Sequence, residues 1–135
     1  MTDLLELAAR IEAASGADRE IDRLVHFHVV HPWLAEKAVK WVDAAYEGPG
    51  EFLWWDADRL ASGKEGYPDA FEFVTGSLDA AMSLVPEGHH WKVDSWHGYT
   101  AKMQAGSVVS AGEGTTPALA LCAASLRARA SDQKG

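Results

Sequence analysis

An α+β fold, with a small antiparallel β-sheet sandwiched with α-helices, is predicted by three stretches of the sequence. From His89 the chain alternates, with Trp91, Val93 and Ser95 on one face and His90, Lys92, Asp94 and Trp96 on the other. His97-Gly98 then supplies a turn, Tyr99 to Gln104 a returning strand, and Gly106 to Ser110 a third. The second stretch is Thr116-Pro117, a cap followed by a proline in the first turn, which opens the run Leu119, Leu121, Cys122, Ala123 and Leu126. That run is apolar nearly all round, as in a helix buried between layers. In the third, Thr75 to Gly88, Thr75 reads as an N-cap, Asp79 suits the positive end of the helix dipole and Pro86 stops the helix. Leu78, Ala81, Met82 and Val85 form its apolar stripe. The sheet is therefore expected chiefly over residues 89–110, packed on helices at 76–85 and 117–129.

The remaining elements follow in order. Thr2 can cap a helix whose stripe is Leu4, Leu5, Ala8, Ile11 and Ala14 or Ser15, ended by Gly16. Asp18 can cap a second, from Arg19, with Ile21, Leu24, Val25 and Val29 at helical spacing. Pro32 opens a third helix, expected between His31 and Gly48, with Leu34, Ala38, Trp41, Val42 and Ala45 on one side. Gly48-Pro49-Gly50 breaks it. Phe52-Leu53-Trp54-Trp55 fits either a short strand or a loop anchored by aromatics, and Phe71 and Phe73 alternate with Glu72 in an extended lead-in. Gly112 and Gly114 lead into the last helix, where Arg127, Arg129 and Lys134 match the negative end of its dipole.

Composition bounds what this fold can do. The 135 residues suit a single domain, 1–135, and the balance of 47% apolar to 24% charged residues is that of a soluble protein. A net charge of −8 repels a phosphate backbone over most of the surface, which argues against non-specific nucleic-acid binding. A small anion in a local basic pocket is compatible with it. Cys122 stands alone, so it forms no intrachain disulfide and suits a packing role in a reducing compartment. No apolar run approaches the roughly 20 residues that span a bilayer, and the N-terminus lacks a signal core, so a cytoplasmic protein without membrane contact is expected.

Residues that could carry chemistry are few. His26, His28 and His31 form H-x-H-x-x-H, and His89, His90 and His97 cluster later. On a helix His26 and His28 stand about 200° apart and cannot share a metal. No nucleophile elbow, phosphate-loop glycine pattern or H-E-x-x-H spacing is present, so no catalytic residue, metal or cofactor is expected. The six tryptophans either fill a core or present flat faces for stacking, with Trp41 and one of Trp91 and Trp96 assigned to the core. Lys92, Lys102, Arg127 and Arg129 stand out against the acidic background as a phosphate pocket or as a solvated strand face and a dipole-matched helix end.

Three ordered segments carry a resemblance. They are Leu5-Glu6-Leu7-Ala8-Ala9-Arg10-Ile11-Glu12-Ala13-Ala14-Ser15-Gly16-Ala17-Asp18-Arg19-Glu20-Ile21-Asp22, then Thr75 to Gly88, then Thr116 to Arg129. Together, over about a third of the chain, they resemble the phage ABA sandwich domain family of small phage and prophage proteins. The chain departs from that family's pattern over about 26–68, where a His/Trp-rich segment replaces a short variable stretch, and at Gly76, where alanine is usual. More distantly it is similar to Thoeris anti-defence proteins, which sequester a cyclic ADP-ribose-type signal. The resemblance implies a homo-oligomeric binding protein that holds a cyclic nucleotide or ADP-ribose-type immune signal without turnover, in the host cytoplasm. The residues that suit such a pocket are Trp91 or Trp96, with Lys92, Lys102 and Arg127. An apolar last helix and an aromatic on each face of the hairpin also point to self-association. Two further classes stand beside the sponge: an inhibitor or accessory factor acting on a host protein through its acidic surface and Trp-rich insert, and a small histidine-dependent hydrolase.

Overall fold

The computed structural model describes residues 4–43, 51–70, 73–95 and 97–134, without the side chains of residues 35, 43, 51 and 132–134. Thr2, Ala45, Gly48 to Gly50, Phe71, Glu72, Trp96 and the side chain of Lys134, all named above, lie outside this description. In chain order the elements are α1 (Leu4–Ala13), α2 (Arg19–Val25), a π-helical turn (His26–Val30), α3 (Trp33–Lys37), β1 (Lys40–Asp43), β2 (Glu51–Trp55), α4 (Ala57–Ala61), β3 (Tyr67–Ala70), α5 (Leu78–Met82), β4 (His90–Ser95), β5 (Tyr99–Ala105), β6 (Val108–Gly114) and α6 (Pro117–Lys134). The fold is α+β, with two three-stranded antiparallel sheets, β1-β2-β3 and β4-β5-β6. It divides into two compact units, Met1–Ile21 with Phe73–Gly135, and Asp22–Glu72. The segment 26–68 falls within the second.

The first unit is a meander laid on a buried helix. Gly98 (φ 109°) and Gly106 (φ 62°) turn β4 into β5 and β5 into β6, in a left-handed conformation that favours glycine. Trp91 pairs with Met103 and Lys92 with Lys102, so the alternation read from the sequence becomes two distinct faces. Ala101, Met103 and Gly112 are buried on the face towards α6, while Lys92, Lys102, Gln104 and Ala111 on the other are exposed. Thr116 caps α6 by accepting from the Leu119 amide at 3.2 Å, as its sequence position implies. Every residue from Ala118 to Leu126 is buried. Burial of Leu119, Leu121 and Leu126 contributes about 1.5–3 kcal/mol each. The two polar groups in this stretch are satisfied, Ser125 Oγ donating to the Leu121 carbonyl at 2.7 Å and Cys122 Sγ to that of Val74 at 3.0 Å.

Gly112 and Gly114 are strand residues, and their role is packing rather than entry to the helix. A Cβ at Gly112 would lie 2.4 Å from the Ala124 nitrogen and 2.7 Å from the Ala120 oxygen; one at Gly114 would lie 2.7 Å from the Ala120 nitrogen. Strand and helix backbones therefore meet directly, with glycines on one side and alanines on the other. On α1 the buried stripe is Leu4, Leu7, Ala8 and Ile11, while Leu5 turns out to solvent. Arg127 and Arg129 do not serve the end of the α6 dipole. Arg127 pairs with Glu12, and Arg129 Nε donates to the Leu84 carbonyl at 2.9 Å, satisfying the turn after α5.

Around α5 two expectations are corrected. Ser77, not Thr75, is the cap, accepting from the Ala80 amide at 3.2 Å. Thr75 is buried and its hydroxyl bridges the Asp18 backbone, accepting from the amide at 2.8 Å and donating to the carbonyl at 3.2 Å. The helix consequently starts later and is short, and its buried residues are Ala81 and, just beyond it, Leu84, with Leu78 and Met82 exposed. Asp18 caps α2 as its position implies, accepting from the Ile21 amide at 3.1 Å.

The second unit has an aromatic core of Phe27, Leu34, Phe52 and Trp54, flanked by Ala38 and Tyr67. The expected helix over 31–48 is present only as α3. At Ala38 the backbone turns extended (φ −74°, ψ 118°), and Lys40–Asp43 is a strand paired with β2, Trp41 opposite Trp54. The β-branched and aromatic run Val39-Lys40-Trp41-Val42 gains cross-strand contacts with Trp54 and Trp55 that a helix would forgo. Phe52 to Trp55 is thus a strand, the central one of its sheet. Trp54, 8% exposed, fills the core; Trp41, assigned to it from the sequence, is 40% exposed with the Arg23 guanidinium 3.4 Å above its ring.

Candidate functional site

The outer face of β4-β5-β6 holds Lys92 and Lys102, the sequence-selected cations that the structure brings together. Lys92 and Lys102 are direct cross-strand partners, a placement that puts like charges within reach of each other and is unfavourable on its own. With Trp91 they line a shallow depression of about 240 Å³, completed by His90, Met103, Gln104 and Val109. Trp91, 36% exposed, belongs to the edge strand β4 and borders the depression there. Lys92 Nζ lies 3.5 Å from Asp94 Oδ2, both side chains well exposed, an interaction that solvent screens to little. Among the described residues no ion pair engages Lys102. The arrangement is a pair of ammonium groups on the outer face, with Trp91, which shares the Met103 side of the sheet, at the β4 edge of the depression; the lysines suit a small phosphorylated ligand.

Arg127, the remaining cation of the candidate set, lies apart from the residues lining that depression. Its guanidinium is engaged by both carboxylate oxygens of Glu12, Nη1 reaching Oε2 at 2.6 Å, and Nη1 also donates to the Ala111 carbonyl at 3.0 Å. Glu12 Oε2 accepts in addition from the Glu113 amide at 2.9 Å. The Arg127 hydrogen bond holds the Glu12 carboxyl below the usual carboxylate range, against the opposing effect of its burial, and Glu12 in turn raises Arg127. This clasp ties α1, β6 and α6 together. Its partners are 115 residues apart, so no local pattern in the sequence could have paired them.

The histidines sort differently from their spacing. His26 is buried in the second unit, with Nε2 3.3 Å from Asp69 Oδ2 and its ring edge-on to His31 and Phe52. The π-helical turn, closed by the His31 amide on the His26 carbonyl at 2.9 Å, buries His26 and Phe27 side by side. His28 is half-buried, and burial lowers its basicity below the ordinary histidine value. Among the described residues no group of three or more His, Cys, Asp or Glu could hold a metal ion, and no helix is long and apolar enough to cross a membrane.

A second cavity, of about 360 Å³, lies in the second unit between α4 and β3 and is lined by Asp56, Asp58, Arg59, Ser62, Lys64 and Tyr67. Nothing in the sequence announces it, since its charges look like those of any solvated turn. No protein-family model, curated protein or solved structure matches the chain.

Proposed function

We propose that the depression on β4-β5-β6 binds a small phosphorylated nucleotide and does not transform it, with Lys92 and Lys102 on the phosphate at the outer face and the base reaching Trp91 round the edge of β4. The observation that carries this reading is the cross-strand lysine pair bordering a depression on a chain of net charge −8. A bound anion would turn a repulsive pair into a bridged one. Arg127 is left out of the pocket because Glu12 already occupies its fork. The resemblance of the three segments to phage ABA sandwich proteins, and more distantly to Thoeris anti-defence proteins, supports a cyclic nucleotide or ADP-ribose-type signal as the ligand and sequestration in the host cytoplasm as the role. Exposed Val108 and Val109 beside the pocket support a homo-oligomer, a reading that a monomer mass in light scattering at micromolar concentration would remove.

A thermal-shift and titration panel of cyclic nucleotides and ADP-ribose derivatives tests the reading. Binding tighter than about 100 μM, with intact ligand recovered after heating, is the expected result. Failure of the whole panel transfers the proposal to a protein-binding inhibitor. That alternative draws on the exposed Trp33, Val39, Trp41 and Val42 of the second unit, which a host protein would cover.

A further inference from the structure

The second unit's polar cavity carries an arginine set in place by the fold. The loop after α4 is fixed at three points: Trp55 Nε1 donates to the Lys64 carbonyl at 2.8 Å, the Gly63 amide reaches the Leu60 carbonyl at 3.2 Å, and Gly66 lies so close that a Cβ there would be 2.9 Å from the Trp55 ring. Arg59 rests on this loop. Its Nε donates to the Glu65 carbonyl, and its guanidinium sits 4.1 Å from the Tyr67 ring centroid. Stacking and the Nε bond hold the guanidinium plane and leave the outer nitrogens as a fork, with no partner among the described residues. A fixed fork of this kind matches a carboxylate or phosphate with little ordering cost.

The charges around the fork discriminate between those anions. Asp56, Asp58, Arg59 and Lys64 line one cavity, yet no ion pair joins them. Asp56 is committed to capping α4, accepting from the Arg59 amide at 2.8 Å. Two carboxylates on the wall oppose a phosphate dianion, whereas a ligand bearing both a carboxylate and an ammonium group would meet a complement for each. We propose that this cavity is a binding site for a free α-amino acid, its carboxylate on the Arg59 fork and its ammonium on Asp58. The volume, several times the ~30 Å³ share of a water molecule, accommodates such a ligand.

The proposal is tested by two-dimensional nitrogen–proton spectra of the full chain, following the Arg59 Nε–H and the Trp55 indole N–H. The proteinogenic amino acids are added singly, with acetate and inorganic phosphate as separate arms, each to about 10 mM. At least one amino acid is expected to shift both resonances saturably, with neither acetate nor phosphate matching it. Arg59→Lys, which keeps the charge and loses the fork, should weaken that binding tenfold or more. Asp58→Asn, at an exposed side chain that no described hydrogen bond uses, should weaken it several-fold without altering the fold. Silence from every amino acid overturns the proposal, as does an equal response to acetate or phosphate. Unchanged affinity in Asp58→Asn would equally overturn it, since the ammonium partner would then be wrong.

Discussion

The two sheets have the same number of strands and the same up-and-down order, yet they are stabilised in different ways. β4-β5-β6 lies on α6 through glycine against alanine, with backbones in contact and an arginine–glutamate clasp at the side. β1-β2-β3 lies on Phe27 and Leu34 through large rings, with Arg23 over Trp41, Lys40 over Trp55 and Arg59 over Tyr67. A core built on close backbone approach tolerates no added atom. A core of rings tolerates no removed one. The difference separates the substitutions that each unit should resist.

The largest effect is expected at Phe52, 1% exposed in the ring core. Phe52→Ala should cost about 3–5 kcal/mol, from lost burial and the cavity left behind. Trp33, Trp41, Trp54 and Trp55 lie in this unit, so chemical denaturation followed by tryptophan fluorescence reports it; an unmoved midpoint would refute the aromatic core. The mirror experiment is Gly112→Ala, which adds one methyl where the gap to the Ala124 nitrogen is 2.4 Å. Backbone atoms cannot step aside as a flexible side chain would, so a loss near the upper end of the usual overpacking range, about 3 kcal/mol, is expected. Gly16→Ala, with nothing within 4 Å, is the control and should change stability by no more than about 0.5 kcal/mol. Equal midpoints for the two alanine variants, followed by circular dichroism, would break the comparison.

Acid distinguishes the units next. Glu12 has its folded pKa below the ordinary 4.5, so the unfolded chain binds the proton first as pH falls. The clasp's contribution is present above about that value and is lost as pH falls through the lower folded one. His28 in the second unit is also lowered, from 6.5, by burial. Its neutral form is the one the fold accepts, so that loss begins higher, as pH drops below about 6.5. Glu12→Gln should remove about 1.5–3 kcal/mol at neutral pH, by leaving Arg127 without its charged partner, and should flatten the acid limb. His28→Gln should flatten only the limb near neutrality. A pH profile of stability unchanged in both variants would show that neither group is linked to folding.

How much of this was legible varies with the range of the interactions. The alternation around Trp91, the Gly98 turn and the Thr116 cap are legible because each is decided within a few residues, whereas Gly106, expected to open the third strand, lies in the turn before it. Lys92 and Lys102 were placed on paired strands for the same reason. Residues 38–43 look helical in sequence because Trp41 has helical spacing from Leu34 and Ala38, and only its pairing with Trp54 favours the strand. Thr75 has the local context of a cap, and its bonds to Asp18, 57 residues away, give it a different role. Arg127 resembled a ligand contact for want of Glu12. Long-range partners decide these cases, and nothing near them in sequence announces the partner.

The smallest stability effect carries the functional test. In the ring-cored unit, among the described residues, Arg23, Lys40 and Arg59 lie over aromatic faces, a contact that contributes about 0.5–1 kcal/mol at an exposed position such as Lys40. Lys102 has no such ring and no ion pair among the described residues, and it faces Lys92. Lys102→Ala should therefore leave stability unchanged or raise it by about 0.2–0.5 kcal/mol, since it removes a like-charge cross-strand pair. Lys40→Ala in the other sheet should lower it by a similar amount, with loss of the contact 4.7 Å above Trp55. If the outer face of β4-β5-β6 holds a phosphorylated nucleotide, Lys102→Ala should also weaken binding about tenfold, whereas Lys40→Ala should leave it alone. A clear stability loss in Lys102→Ala would mean that this lysine serves the fold after all, and the reading of the face as a ligand site would fall with it.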